Sequence, residues 1–181
     1  DDAEIAEHMF GALRGKDNLI FANARNRVEY FADRLRRLCE RDGVPNEFWP
    51  HHGSLSKDIR QHVEQLLKER KAPVNVVCTT TLEMGIDIGH LDGIAQVGPP
   101  PSVSSLRQRT GRSGRKEGTA QTLRAYIQEA EITPQTAVQD TLRARLVQTI
   151  ATIQLMIDGW CEPPPAAALN LSTLVQQTLS M

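Results

Sequence analysis

Apolar residues return at helical intervals near the start of the chain, at Ile5, Met9 and Leu13, and the pattern stops at Gly15 and the polar run Lys16-Asp17-Asn18. A short apolar run follows, Leu19-Ile20-Phe21-Ala22. Beyond Asn23 a long amphipathic stretch carries Val28, Phe31, Leu35 and Leu38 on one face. This order predicts helix, strand, helix. Gly43-Val44-Pro45 breaks the second helix, Phe48-Trp49-Pro50 predicts a short strand, and His51-His52-Gly53-Ser54 predicts a loop. Ser56 is placed to cap a helix that carries Ile59, Val63, Leu66 and Leu67 and ends near Lys71. Val74 to Cys78 and Ile94 to Val97 are short, rich in β-branched residues and bounded by Gly or Pro, as buried parallel strands are. Ser102 to Thr110 predicts a short helix, and Thr122 to Ile127 a further strand. Strands alternating with helices predict an α/β fold, a parallel sheet with helices on both faces that binds ligands at the carboxyl ends of its strands.

From Thr136 the texture changes. Val138, Leu142, Leu146, Ile150, Ile153 and Ile157 recur at helical spacing with no strand between them, which predicts one long helix. Gly159 and Pro163-Pro164-Pro165 predict a stiff linker, and Asn170 to Met181 another helix.

At 181 residues the chain has room for one α/β domain and an appendage. A hydrophobic share of 40% with only 4% aromatics predicts a core of Leu, Ile, Val and Ala. Lysine and arginine total 21 against 22 acids, a net charge of -1, so any contact with a phosphate backbone must be local. Cys39, Cys78 and Cys161 lie far apart with no Cys-x-x-Cys spacing, which disfavours a disulfide framework and a zinc site and fits a reducing, cytoplasmic setting. No apolar run reaches transmembrane length, and the acidic start Asp1-Asp2-Ala3-Glu4 is unlike a secretory signal, so no membrane partner is expected.

The segment with most chemistry is Gln108-Arg109-Thr110-Gly111-Arg112-Ser113-Gly114-Arg115. Two arginines three apart, each preceded by glycine, suit a backbone that comes close to a polyanion while two rigid guanidinium forks reach its oxygens. An Arg-Gly cluster can equally be a basic turn on a solvated surface. The full pattern Gln-x-x-Gly-Arg-x-Gly-Arg goes further, and resembles motif VI of the DEAD/DEAH-like helicases. Thr79-Thr80-Thr81-Leu82-Glu83-Met84-Gly85-Ile86-Asp87-Ile88 follows a predicted strand and resembles motif V. Leu19 to Arg25 looks like motif IV, and His51-His52-Gly53-Ser54-Leu55-Ser56 like that family's next loop. Four segments stand in the family's order.

Within that superfamily the chain is most similar to the large helicase-related (Lhr) proteins, through His-His-Gly-Ser-Leu-Ser, Leu-Glu-Met-Gly-Ile-Asp-Ile-Gly and Gln-Val-Gly-Pro-Pro-Pro-Ser-Val. One departure is Arg115, where many Lhr-like proteins carry histidine. The resemblance implies the second RecA-like domain of an ATP-dependent helicase over residues 1–131, a helical extension over 132–162, and over 163–181 a linker and the start of a winged-helix domain. It implies that Asn23, Arg25, His52, Gly53, Ser54 and Thr79 face the backbone of DNA, RNA or a hybrid. Gly85 and Asp87 would bind ATP, and Gln108, Arg112 and Arg115 would act in its hydrolysis. The partner would be the first RecA-like domain of the same full-length protein, which would also hold most of the magnesium.

No phosphate-cradling loop stands in these residues. Gly11-Ala12-Leu13-Arg14-Gly15-Lys16-Asp17 is one residue short, has Asp in place of Ser or Thr, and follows a helix rather than a strand. No Asp-Glu pair of the magnesium-holding type follows a hydrophobic strand, so the chain alone is expected neither to hold Mg-ATP tightly nor to hydrolyse it. The rival reading is a non-catalytic RecA-like nucleic-acid-binding or regulatory module; the ATP-facing set Asp87, Gln108, Arg112 and Arg115 argues against it. His51, His52 and His62 lack a recognised ligand spacing, so no metal ligand is assigned. Trp49 and Trp160 read as packing residues, and Cys78 as a small buried hydrophobe.

Overall fold

The computed structural model describes residues 1–83, 90–113 and 120–163. The elements run α1 (Asp2–Leu13), β1 (Asn18–Ala22), α2 (Arg25–Arg41), β2 (Phe48–His51), α3 (Lys57–Glu69) and β3 (Asn75–Cys78). A 3-10 turn at Thr80–Leu82 leads on to β4 (Gly93–Val97), α4 (Val103–Thr110), β5 (Leu123–Tyr126), α5 (Val138–Thr141) and α6 (Ala144–Ile157). The five strands form one sheet in the order β2-β3-β1-β4-β5, every pair parallel.

Side chains alternate across each strand, so one apolar strand feeds two cores. Ile20, Ala22, Val77, Ala95 and Val97 pack on α1 and α2 through Met9, Leu13, Val28, Phe31 and Leu35. Leu19, Phe21, Val76, Cys78 and Ile94 face the other way, toward Val63 and Leu67 of α3 and toward Leu82 and Leu91. Cys78 is fully buried, and loss of solvation pushes its thiol pKa well up, which leaves it a packing residue. Ser56 caps α3 as expected, its hydroxyl accepting from the Ile59 amide. Gly11 lies inside α1, so the Gly11–Asp17 run has no phosphate-loop geometry.

In place of the single long helix expected from Val138 to Ile157, the chain breaks at Leu142 and Arg143, the latter in the left-handed region at φ 50°. The break lets α6 start against the body of the domain. Glu129 accepts from the Leu146 amide at 2.7 Å, and the Arg145 guanidinium donates to the Gln128 carbonyl. α6 then packs on α4 with Thr149 and Thr152 buried, each hydroxyl bonded to the carbonyl four residues back, while Ile150 (58% exposed) and Ile157 (69%) face outward. The apolar stripe is therefore split between the two sides, since Leu146 and Ile153 are half-buried. The chain beyond α6 returns to α4, where the Glu162 carboxylate accepts from its own amide and from those of Val103 (2.7 Å) and Ser104 (2.9 Å), which hold its pKa down to about 2. Trp160 is 45% exposed, and its carbonyl accepts from Arg107. Trp49 does pack, half-buried on the α3 core with its ring edge-on to His62.

Candidate functional site

Parallel register brings the carboxyl ends of β1, β2, β3 and β4 to one edge, since Phe21 pairs with Cys78, Cys78 with His51, and Ala22 with Val97. The loops that leave this edge hold the residues singled out in the sequence. Asn23 follows β1, and its amide donates to the Pro99 carbonyl at 2.8 Å. Arg25 opens α2 and bonds through its guanidinium to the Ser54 hydroxyl, which joins the loop after β1 to the loop after β2. Asn23, Arg25, Gly53 and Ser54 are exposed and Thr79 is half-buried, its amide donating to the His51 carbonyl.

His52 stands apart from these. Its ring is buried, with Nε2 on the Glu29 carboxylate and Nδ1 accepting from the Ser54 amide at 3.3 Å. It presents the Gly53-Ser54 turn rather than its own imidazole. His51, one residue earlier, is turned inward too, with Nδ1 2.8 Å from the Thr81 hydroxyl and Nε2 3.1 Å from Glu64.

On the other side of β1, Gln108 is exposed on α4, and Arg112 sits half-buried just beyond the helix. Both Nε and Nη2 of Arg112 donate to the Glu83 carbonyl, at 3.1 and 2.9 Å. Gly85, Asp87 and Arg115 lie outside the described residues.

Arg109, which the motif pattern does not mark, is heavily engaged near this edge. It is 2% exposed, its Nε and Nη2 lie 3.0 and 2.9 Å from one Glu83 carboxylate oxygen, and Nη1 bonds the Gln96 carbonyl oxygen. Its guanidinium lies 4.6 Å over the Phe21 ring. A signal was present: Val103 and Leu106, six and three residues before Arg109 on α4, put it on the helix's apolar face.

The helicase conserved C-terminal domain family matches residues 3–117. This chain belongs to that family. It is 45% identical over 101 residues to the ATP-dependent helicase Lhr-Core of Saccharolobus solfataricus, covering 55% of this chain and 11% of that protein. It is 35% identical over 130 residues to the Lhr helicase/uracil glycosylase of Escherichia coli, covering 72% of this chain and 8% of the relative. Among solved structures, Mycobacterium smegmatis helicase Lhr bound to ssDNA and AMP-PNP superposes with a TM-score of 0.78 at 32% identity, over 98% of this chain and 22% of that one. The chain thus spans about a tenth of the length of the curated relatives it matches. The parallel sheet is the RecA-like fold expected from the motif order.

In this helicase C-terminal domain, His51 ties the end of β2 to α3 and to the turn after β3. Its ring sits between the two, Nδ1 beside the Thr81 hydroxyl and Nε2 beside the Glu64 carboxylate, while that hydroxyl donates to the His51 carbonyl at 3.2 Å. Burial pushes its pKa below the usual imidazole value, Glu64 pulls it part of the way back, and Arg60 nearby disfavours the cation again. The unfolded chain therefore binds more protons near pH 6 than the folded one, and stability rises with pH through that range. Between pH 7.5 and 5 the domain is expected to lose stability through this group, and His51→Gln to flatten that part of the profile. Urea unfolding at several pH values checks it; an equal slope in wild type and variant would take His51 out of the linkage.

Proposed function

We propose that the full-length protein is an ATP-dependent nucleic-acid helicase or translocase in which this domain is the second motor half. Asn23, Arg25, Gly53, Ser54 and Thr79 grip the strand through its phosphates, and His52 holds the Gly53-Ser54 turn in shape. Gly85 and Asp87 contact the nucleotide, Gln108 lies beside the reacting phosphates, and Arg112 and Arg115 neutralise charge on the transferring phosphoryl group across the cleft. The first motor domain supplies the phosphate-cradling loop and most of the magnesium ligands. By itself this chain should turn over no ATP. Closure of the cleft around ATP would then drive steps along the gripped strand.

The observation that carries this reading is the shared edge. The loops after β1 and β2 are joined there through Arg25 to Ser54, Thr79 at the start of the loop after β3 is bonded to His51 at the end of β2, and α4 delivers Arg112 to the loop after β3. A relative solved with both single-stranded DNA and AMP-PNP supports reading the full-length protein as one that binds strand and nucleotide. The Arg25 and Thr79 contacts make separable predictions. Arg25→Ala removes one phosphate-facing cation and is expected to lower the slope of log K against log salt by about 0.7 to 0.9. Thr79→Ala removes an uncharged contact and should weaken binding with the slope unchanged. Fluorescence anisotropy with a single-stranded oligonucleotide and the full-length protein reads both, and an unaltered slope in Arg25→Ala would take that residue off the strand path.

A further inference from the structure

We propose that four side chains, Glu83, Arg109, Gln96 and Asn23, form a relay that couples the ATP-facing segment to the strand-facing edge, with Gln96 as its positioning residue. The proposal rests on the motor reading above and adds residues that the motif pattern does not assign.

At one end, Glu83 is held twice by the same segment. Arg109 grips its carboxylate and Arg112 grips its main-chain oxygen, from residues three apart at the end of α4. When Arg112 turns toward a phosphate it exchanges its bonds to the Glu83 carbonyl, and Arg109 is the contact that carries the change inward. At the other end, Gln96 reads Arg109 directionally. A guanidinium has only donors, so Gln96 must turn its carbonyl oxygen to Nη1 and its amino group away. That amino group meets the Asn23 carbonyl oxygen at 3.3 Å, together with the main-chain oxygens of Val97 (3.3 Å) and Gly98 (3.1 Å). Asn23 in turn donates to the Pro99 carbonyl, so its orientation is set from both sides.

The chain beside it turns at Gly98, whose φ of 76° favours glycine. Burying Arg109 requires only that its donors be accepted, and any carbonyl would serve for Nη1. What that does not require is an acceptor whose opposite end holds a strand-facing residue. A rotation of the Gln96 amide, forced by movement of Arg109, is felt at Asn23, and linkage makes the effect reciprocal.

Gln96→Met in the full-length protein cuts the relay while keeping an unbranched side chain in the site. Hydrolysis in the absence of strand, and oligonucleotide affinity in the absence of nucleotide, should stay within about twofold of wild type. Maximal strand-stimulated hydrolysis, and the shift in oligonucleotide affinity produced by AMP-PNP, should each fall about tenfold, a coupling of ordinary size. Glu83→Gln keeps an acceptor of the same shape and is measured alongside, so that a folding failure at Gln96 leaves the question answerable with the same two readouts. Wild-type stimulation and affinity shift in a folded variant overturn the relay, as does an equal loss of strand-free and strand-stimulated hydrolysis, which marks a structural role. A wild-type protein with no strand-stimulated hydrolysis at all would instead remove the motor reading itself.

Discussion

Replacing Arg109 by leucine is expected to lower the stability of the domain by about 3 to 5 kcal/mol, the usual consequence of removing one partner from a buried ion pair. Leucine fills the volume but leaves the Glu83 carboxylate and the Gln96 carbonyl oxygen without their donors in a site that is 8% exposed at Glu83 and 1% at Gln96. The Phe21 ring also loses the cation above it, a smaller effect of about 0.5 to 2 kcal/mol. Domains of this size are stable by only about 5 to 15 kcal/mol, so the loss is a large share of the total. Arg109→Leu combined with Glu83→Leu removes both charges together and should recover part of the loss. Equilibrium urea denaturation measures all three proteins. A loss below about 1 kcal/mol in Arg109→Leu would mean that the ion pair is exchanged for water rather than buried.

The central strands were legible in the sequence because they are short apolar or β-branched runs, and because a strand buried on both faces needs no other signal. Leu19 to Ala22 and Val74 to Cys78 show it best, each correct to within one residue. The exposed site loops were legible because their residue order matches known motifs, not because of any periodicity. Three features were not legible, each because it depends on tertiary contact. The outward face of α6 carries Ile150 and Ile157 while Thr149 and Thr152 lie inside, since side-chain hydroxyls that bond their own helix can be buried at little cost. The break at Arg143 follows from docking α6 beside Glu129, which no local pattern announces. The partners of Arg109 come from β4 and from the loop after β3, 13 and 26 residues away, so its helical position marked it as inward-facing without saying what it meets.

Arg112→Ala in the full-length protein is expected to slow ATP hydrolysis at least tenfold, and an arginine supplied across a cleft is commonly worth about a thousandfold or more. The guanidinium fork is already ordered beside the strand edge, where Nε and Nη2 share the Glu83 carbonyl, so delivering it to a phosphate costs little side-chain freedom. Arg112→Lys should rescue poorly, because a single ammonium cannot reproduce the fork. Strand affinity without nucleotide should change by no more than about twofold, since the residues assigned to the strand lie on other loops. Single-turnover hydrolysis with saturating ATP, magnesium and single-stranded oligonucleotide is the most direct measurement. A deep loss of rate in Arg112→Ala with strand binding intact is the predicted result, and hydrolysis at the wild-type rate would contradict the assignment of this domain as the half that completes the ATP site.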